Sequence, residues 1–494
     1  MPLIPLDIPA GFYRIGTDLD ASGRWRDGSL VRWRDGSLRP VGGWQQRVAS
    51  FSTDPIRGMH AWEVNNGTAY VVGGSHTELN VMTGSNTVTD VAPSDLATGR
   101  ADAEVETGYG FGFYGTGYYG QPREDYGNYS EATTWSLDNW GEYLVACNTD
   151  DGRLLEWQLD PATDAAVIAN APTDNLGLIV TEERFIFALG AGGNPRKIQW
   201  CDREDNTQWT PLATNEAGDI ELQTSGQIMT AVRTKGQTLL LTDVDIHSAR
   251  YQGPPYVFGF QRVGTACGII SRHAAVDVDQ GVFWMSTQGF YSFNGNSVVE
   301  LPCAVHDYVF SAEGLNPAQQ SKVWAWNNGQ NSEIWWFFPS QNSTEIDRYV
   351  AFDYKENHWL IGELPRTSGV QRGIFKYPFM MGDDLAMYEH EVGFNMDGDT
   401  IFAETAPVSL GTGEQIMSVT KLIPDEVTQG DVTLTFKTRL YPNAQETIHG
   451  PFDPSNPTSL RFTGRQARMR IEGDQVGPWR VGTMRVEAKP MGKR

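Results

Sequence analysis

Short apolar runs separated by polar turn residues recur along most of the 494-residue chain. The clearest unit is 280–301, where VFWM, FYSF and SVVEL are separated by STQG and NGN. Runs of about five β-branched or aromatic residues favour strands, and Asn-Gly between two such runs favours a tight hairpin turn. This stretch therefore predicts a three-stranded meander, which cannot bury both of its own faces.

Comparable strand pairs follow one another from residue 51 to residue 404, and no segment of this span has a convincing helical pattern. A β-sandwich would require a few long strands, whereas here a short unit returns many times. Blades of ~40–45 residues would number about seven once residues 95–132, which lack a strand pattern, are set aside. We predict an all-β protein whose residues 51–404 form a β-propeller of six to eight blades, about seven, with an insertion at 95–132.

The two ends of the chain differ from this body. The heptapeptide RWRDGSL occurs at 24–30 and again at 32–38, and Asp-Gly in each copy predicts two hairpin turns. Residues 405–494 alternate apolar with basic residues, as in SLRFTGRQARMRIEG, a pattern typical of antiparallel strands with one cationic face. We expect residues 1–50 to be a docking segment that packs with 405–494 in a small β-sandwich or platform domain.

The net charge of −23 is unevenly distributed: +2 over residues 1–50, −31 over 51–460 and +6 over 461–494. The acidic surface either serves solubility alone or belongs to a body that repels nucleic acid and docks elsewhere through basic ends. On the second interpretation, seven arginines are candidate interface residues. They are Arg24, Arg26, Arg32, Arg34, Arg465, Arg468 and Arg470.

Alternative roles for the arginines of the N-terminal repeat remain open from the sequence. They are also placed to pair with neighbouring aspartates inside a meander. Alternation of Arg with aromatic residues suits single-stranded nucleic acid as well, although five aspartates in residues 1–50 disfavour that role.

Residues 108–120 have glycine at nearly every second position, interleaved with aromatic residues. Glycine forfeits side-chain packing and loses much entropy on ordering, so this stretch predicts a long loop that projects from a blade. The loop is either a flexible surface element or an aromatic contact loop that touches the next subunit or lines a channel. The contact residues would be Tyr109, Phe111, Phe113, Tyr114, Tyr118 and Tyr119.

Composition favours a protein made in a reducing cytoplasm. No apolar run approaches the roughly 18–20 residues that a membrane span needs, and MPLIPLDIPAGFYR lacks the basic start of a signal peptide. The four cysteines, Cys147, Cys201, Cys267 and Cys303, are isolated from one another, which predicts reduced and mostly buried thiols.

Motifs of propeller hydrolases, metal sites and nucleotide sites are missing from the sequence. The sialidase-type repeat Ser-x-Asp-x-Gly-x-Thr-Trp, a Walker motif, a Gly-x-Ser-x-Gly elbow and zinc-spaced His or Cys sets do not occur. The segments 150–152 and 397–399 lack the ligand spacing of a calcium loop and predict plain Asp-Gly turns. We therefore predict no catalytic residue, no metal site and no cofactor.

The run PAGFYRIGTDLDASGRWRDGSLVRWRDGSLRPVGGWQQR resembles the N-terminal signature of a family of tailed-phage virion proteins, the tail hub or nozzle of short-tailed phages. The resemblance continues in the Gly/Tyr tract, in Trp200 and Trp209, in the 280–301 meander and in the basic tail. It implies a structural virion protein with a propeller body, which forms a ring, expected to be a hexamer, below the head-to-tail adaptor.

The same resemblance implies partners and location. The ring would contact the adaptor and the tail fibre or needle proteins, retain packaged DNA, and conduct it during ejection without sequence-specific binding. The protein would be made in the host cytoplasm, carry no membrane span and reside in the virion tail. The alternative is a receptor-binding or glycan-processing propeller of the same tail.

Overall fold

The computed structural model describes residues 3–105, 129–410, 415–454 and 457–492. Regular structure in these ranges is almost entirely β-strand, with one short helix, α1 (His306–Phe310), and two 3-10 turns at Ala191–Gly193 and Pro317–Lys322. Among the described residues, no helix has the length and apolar character needed to cross a membrane.

Five strands precede the first complete blade. They are β1 (Leu3–Leu6), β2 (Trp25–Ser29), β3 (Val31–Arg34), β4 (Ser37–Pro40) and β5 (Trp44–Val48). The second copy of RWRDGSL forms the hairpin β3–β4, and its Asp35 and Gly36 take the positive φ values of 50° and 72° that a tight turn needs.

Seven four-stranded antiparallel sheets form the body. In chain order, with the two short strands β10 and β11 between the first and second blades, their strands are β6 (Met59–Glu63), β7 (Ala69–Gly74), β8 (Leu79–Thr83), β9 (Val88–Asp90), β10 (Glu104–Val105), β11 (Tyr129–Ser130), β12 (Trp135–Trp140), β13 (Tyr143–Asn148), β14 (Leu154–Trp157), β15 (Ala166–Val167), β16 (Gly177–Val180), β17 (Ile186–Leu189), β18 (Lys197–Trp200), β19 (Gly218–Glu221), β20 (Ile228–Thr234), β21 (Gln237–Thr242), β22 (Asp245–Gly253), β23 (Val257–Thr265), β24 (Ala275–Val278), β25 (Gly281–Met285), β26 (Phe290–Phe293), β27 (Val298–Leu301), β28 (Trp324–Asn328), β29 (Glu333–Phe338), β30 (Arg348–Asp353), β31 (His358–Glu363), β32 (Arg366–Val370), β33 (Phe379–Gly382) and β34 (Met387–His390).

The blades close into a ring. The innermost strands β6, β12, β16, β20, β24, β28 and β32 contact one another in that order, and β32 returns to contact β6. The outermost strand of the seventh blade is β5, which comes from the N-terminal segment and pairs with β34. The fold is therefore a seven-bladed β-propeller whose last blade combines strands from distant parts of the sequence, which confirms the predicted fold class.

The 280–301 meander forms the three outer strands of the fifth blade, and both of its faces are covered. Phe290 packs on Trp336 and Trp359 of the sixth blade, with ring centroids 4.7 Å away in each case. On the opposite face, Trp284 is fully buried and its indole Nε1 donates to the Cys267 carbonyl at 2.8 Å. Blade-on-blade packing thus supplies the burial that the meander cannot supply alone.

The two chain ends build a second domain, called here the end domain, from two sheets and the β3–β4 hairpin. Its remaining strands are β35 (Ile401–Thr405), β36 (Val408–Ser409), β37 (Ile416–Ile423), β38 (Val432–Arg439), β39 (Thr447–Phe452), β40 (Thr458–Gly464), β41 (Gln466–Gly473) and β42 (Met484–Gly492). One sheet has the order β1-β42-β37-β40 and the other β2-β35-β41-β38-β39, with β36 beside β41. The alternating burial of β38, β40 and β41 is that of half-buried antiparallel strands.

Two boundaries differ from the predicted ones. Residues 44–48 belong to the propeller, because β5 completes the seventh blade, although 1–50 was expected to lie outside it. Residues 401–405 belong to the end domain, because β35 pairs with β2 and β41. In both places the local pattern indicates a strand, but only the tertiary partner decides which sheet that strand joins.

Two predicted turns also differ. The first Asp-Gly, Asp27-Gly28, lies inside β2 rather than in a hairpin turn, and a β-bulge opposite β35 accommodates it. At Asn294-Gly295 the strands are joined by four residues instead of two, with φ of +96° at Gly295. The Asn294 side-chain oxygen accepts from Asn296 N at 3.1 Å and Ser297 N at 3.0 Å, which stabilises the wider turn.

Candidate functional site

The seven candidate docking arginines lie in the end domain or at its joint with the propeller, and their exposure differs widely. Arg24 is exposed and Arg32 is buried, whereas the other five, Arg26, Arg34, Arg465, Arg468 and Arg470, are half-buried. Sequence position therefore brought them into one domain without making them one exposed surface.

Arg32 lies inside the protein between β3 and the sixth blade. Its Nη2 is 2.6 Å from Glu391 Oε1 and its Nε is 3.0 Å from Glu333 Oε1. Asn328 Nδ2 donates to Glu333 at 3.2 Å and to Glu391 at 2.8 Å. Because Arg32 is 6% exposed and bound by two carboxylates of its own chain, it is an internal structural residue and not a docking side chain.

The pKa values of the two carboxylates of this cluster are shifted in opposite directions. Burial raises the pKa of Glu333 to about 7, and the charge of Arg32 offsets this only in part. Burial also acts on Glu391, but the Arg32 charge and hydrogen bonds from Arg32, Asn328 and the Gly42 N–H outweigh it and lower the pKa of Glu391. The cluster thus links the N-terminal hairpin to the propeller through one firmly ionised carboxylate and one that titrates near neutrality.

Arg26, Arg468 and Arg470 are paired with acids of the end domain. Arg468 binds Asp18, and its Nε lies 2.8 Å from Glu446. Arg470 lies 3.5 Å from Glu404 and packs over the Phe402 ring at 3.7 Å, while Arg26 lies 3.4 Å from Asp18. These pairs favour the alternative in which the arginines stabilise the fold internally.

The remaining three contact neutral groups. Arg24 lies over the Tyr13 ring at 5.9 Å, Arg34 donates to Asn331 Oδ1 at 3.0 Å, and Arg465 lies over the Tyr441 ring at 5.2 Å. Arg24 is exposed and has no carboxylate ion pair in the described part of the chain, which makes it the best placed of the seven to meet a partner.

The charge asymmetry changes once the domains are known. Residues 1–43 and 391–494 together hold 18 basic and 18 acidic residues, so the end domain is neutral. The propeller segment 44–390 holds 20 basic and 43 acidic residues and carries the whole net charge of −23. The end domain as a whole is therefore neutral and lies on an acidic propeller, because acids in 391–460 balance the basic tail.

The six aromatic residues proposed for the contact loop, Tyr109, Phe111, Phe113, Tyr114, Tyr118 and Tyr119, lie outside the described residues. The strands β10 and β11, which flank this segment, pair with each other in register Glu104 with Ser130 and Val105 with Tyr129.

A charged cleft of about 370 Å³ lies where the end domain meets α1 and the sixth blade. The guanidinium groups of Arg14 and Arg348 lie over the ring of Tyr308 at 5.6 and 5.5 Å, and Tyr308 donates to the Gly362 carbonyl at 3.0 Å. Asp27 lies 3.2 Å from Arg14. No motif in the sequence indicates this cleft, because its residues come from separate segments that meet only in the folded chain.

The propeller axis holds the largest cavity described here, about 570 Å³, lined by all seven innermost strands. Asp138 lies at its wall, 3% exposed, and accepts from Arg233 Nη1 at 2.8 Å and Val180 N at 2.9 Å. Burial lowers the pKa of His60, whose Nε2 lies 3.1 Å from Asn139 Oδ1. This wall therefore presents a fixed ion pair and a neutral imidazole to the cavity.

Asp277 is a group of this cavity that titrates close to neutral pH. It is exposed, and partial burial of its carboxyl raises its pKa to about 6, although Thr234 and Lys235 oppose the shift. The cavity has the size of a small-molecule site and mixed charge. Within the described ranges, no group of three or more His, Cys, Asp or Glu side chains is arranged to hold a metal ion.

No protein-family model matches the chain, and no curated protein matches it. Among solved structures, streptogramin B lyase is similar to this chain at 9% sequence identity. The alignment covers 70% of this chain and 97% of the lyase chain, with a TM-score of 0.43. YCF48 bound to D1 peptide is 10% identical, covering 76% of this chain and 100% of its own, with a TM-score of 0.42. PorZ of Porphyromonas gingivalis is 9% identical, covering 83% of this chain and 46% of its own, with a TM-score of 0.37.

At these identities and TM-scores the comparisons carry no inference about activity, ligand or partner. The propeller assignment rests on the strand pairing of the chain itself, with seven four-stranded sheets and a closed ring of innermost strands.

Proposed function

We propose that the protein is a structural subunit of the tail of a short-tailed phage, where a ring of copies, expected to be a hexamer, forms the hub or nozzle below the head-to-tail adaptor. The ring retains packaged DNA and conducts it during ejection. The observation that supports this proposal is the resemblance of the doubled RWRDGSL segment to the N-terminal signature of that family.

The doubled segment has a structural role that suits a family signature. Its first copy is a strand of the end domain, and its second copy is the hairpin that joins the end domain to the sixth blade through Arg32 and Glu333. The two copies meet through Trp25 and Trp33.

The charge of the propeller is consistent with a DNA conduit. Each phosphate that a Lys or Arg neutralises adds salt-dependent affinity, so a wall that lets DNA slide should offer few free cations. The propeller segment carries −23, and the end domain pairs arginines such as Arg468 and Arg470 internally. A neutral end domain is the part suited to contact protein partners.

Two exposed arginines allow a matched test. Arg24, in the end domain, lies over Tyr13 at 5.9 Å, and Arg203, on the third blade, lies over Tyr251 at 5.8 Å. If the end domain docks on the adaptor, phage carrying Arg24→Glu should yield DNA-filled heads without tails, whereas Arg203→Glu should yield tailed, infectious particles.

Particle composition by gel and electron microscopy provides the measurement, after melting curves show that both variants are folded. Tailed, infectious particles from Arg24→Glu would contradict docking through this part of the end domain. Absence of the protein from purified virions would contradict the tail assignment itself.

The axial cavity favours one second function, a receptor-binding or glycan-processing propeller of the same tail. Its volume of about 570 Å³ and the Asp277 carboxyl, whose pKa is about 6, would suit a polar sugar ligand. Turnover of capsular or lipopolysaccharide sugars by the purified protein, lost in Asp277→Asn, would support this function over the hub. An unchanged rate in Asp277→Asn would exclude the cavity as its site.

A further inference from the structure

Three cations are buried at the N-terminal face of the propeller, defined here as the end of the axis where the innermost strands begin. Arg57 and Lys322 lie two residues before the innermost strands of the first and sixth blades, and Arg272 lies three residues before that of the fifth; they are 5%, 2% and 7% exposed, respectively. Backbone hydrogen bonds join these strand starts, including Ala325 N to the His273 carbonyl at 2.8 Å. A buried cation is costly unless a carboxylate compensates it, so the identity of the counter-charges matters.

In the described part of the chain, one counter-charge comes from the sixth blade. Glu345, in the loop between β29 and β30, accepts from Arg57 Nη1 at 2.9 Å and lies 3.7 Å from Lys322 Nζ. The other two counter-charges belong to the segments that contain β10 and β11, called here the stem (residues 100–105 and 129–133). Asp102 binds Lys322, and Glu131 Oε2 lies 3.7 Å from Arg272 Nη2.

The stem reaches these cations from a part of the chain that belongs to neither the fifth nor the sixth blade. It connects the first blade to the second, yet its Ala103 N donates to Gln319 Oε1 at 3.0 Å and its Ala103 carbonyl accepts from Gln319 Nε2 at 3.3 Å, next to the sixth blade. The side chains of Asp102 and Glu131 are 52% and 35% exposed, while the cations beneath them are buried. Exposed carboxylates that cover buried cations have the geometry of a ligand in its binding site.

The cluster keeps donor capacity that the stem does not use. The Nε–H groups of Arg57 and Arg272 are buried and have no hydrogen-bond partner among the residues that the structure describes. The 3.7 Å separation of Arg272 and Glu131 is too long for a hydrogen bond. Arg272 also lines the axial cavity, so small ions can approach it from the inside of the propeller.

We propose that Arg272 and Lys322, with Arg57 bound to the Glu345 that also neighbours Lys322, form a carboxylate-binding site at the N-terminal face of the propeller, which this chain fills with Asp102 and Glu131 of its own stem. The stem is then a strap held across the axis by charge, and a neutral stem exposes the site to free oxyanions.

The test neutralises the stem and leaves the cations intact. Melting temperatures of wild type, Asp102→Asn/Glu131→Gln and the control Asp164→Asn/Glu426→Gln, which changes two exposed acids elsewhere, are compared in chloride, acetate and sulfate at equal ionic strength. Sulfate stabilises most proteins by exclusion from their surface, so the control sets that background. We expect acetate and sulfate to raise the Tm of the stem variant about 2 °C or more beyond the control.

Adding Arg272→Gln to the stem variant should abolish the extra rise, because it removes a donor of the site. An equal response of all three proteins to sulfate and acetate would overturn the proposal. So would an extra rise that survives Arg272→Gln, since the anions would then act elsewhere.

Discussion

Trp25 and Trp33 hold the same position in two copies of one heptapeptide, and their rings pack on each other with centroids 5.7 Å apart and planes tilted by 52°. Both indoles are buried, at 5% and 2% exposure. Around them the two copies have different backbones: one is a bulged strand in the end domain, and the other is a hairpin against the sixth blade. The repeat therefore supplies two halves of one core from two different conformations.

Alanine at the two equivalent glycines should destabilise the protein for different reasons. At Gly36, φ is +72° and a Cβ would meet nothing within 4 Å, so Gly36→Ala should cost about 1 kcal/mol of backbone strain. At Gly28, a Cβ would lie 2.3 Å from Phe12 and 2.8 Å from the Phe402 carbonyl, so Gly28→Ala should cost about 1–3 kcal/mol by overpacking.

Asparagine separates the two causes, because it tolerates positive φ but is larger than alanine. Denaturant unfolding should show Gly36→Asn to be milder than Gly36→Ala, and Gly28→Asn to be more damaging than Gly28→Ala. The same order at both positions would contradict the structural difference between the two copies.

Trp284→Ala should reduce the free energy of unfolding by about 3–5 kcal/mol, because the indole is fully buried within the fifth blade and its Nε1 hydrogen bond is lost. Tyr256→Ala, at a side chain that is 78% exposed, is the matched aromatic control and should change stability by less than about 0.5 kcal/mol. Similar unfolding curves for both variants would show that the fifth blade is not packed between its neighbours.

Glu333 should make stability depend on pH. Its pKa is about 7 in the folded chain and about 4.5 unfolded, so the unfolded chain loses this proton first as pH rises. The contribution of Glu333 to stability is therefore highest below pH 4.5, falls as pH rises from 4.5 to about 7, and is constant above about pH 7. The stability of wild type relative to Glu333→Gln should decrease between pH 5 and pH 8.

Guanidinium unfolding of both proteins at the two pH values provides the measurement. An advantage of wild type that grows with pH would mean that pairing with Arg32 outweighs the burial of Glu333 in the ionised state. Glu389→Gln, at a half-buried acid paired with Arg47 in the seventh blade, is a suitable control.

The four thiols should resist modification in the folded protein. Cys147, Cys201 and Cys267 are buried, and burial raises the pKa of the first two and of Cys303 to about 12 and that of Cys267 to about 11. Since the thiolate is the reactive form, a disulfide reagent at pH 8 should label none of them rapidly, and all four after denaturation. Rapid labelling of one native thiol would locate an opening that this conformation lacks.

The sequence by itself determined the fold class and most strands. Alternating apolar runs and turn residues suffice for this, because each blade is built from neighbouring strands and its pattern is local. The innermost strands were less evident from the sequence. For example, β24 is the short segment AVDV, whose burial depends on the neighbouring blades. Chain length gave a range of six to eight blades, since four short strands need a nearly constant number of residues, and the strand pairing shows seven.

Only the tertiary structure decided the partners of the chain ends and of the charges. The two RWRDGSL copies have the same local preferences. Nevertheless, one Gly lies in a strand packed against Phe12 and Phe402, whereas the other has open space around it and takes the positive φ of a turn. Arg32 can be buried because its charge is compensated by Glu333 and Glu391, which lie about 300 residues or more away in the sequence. Likewise, the positive charge of the basic tail is compensated by acids of the same domain. Such compensation depends on distance in space, which cannot be read from separation along the sequence.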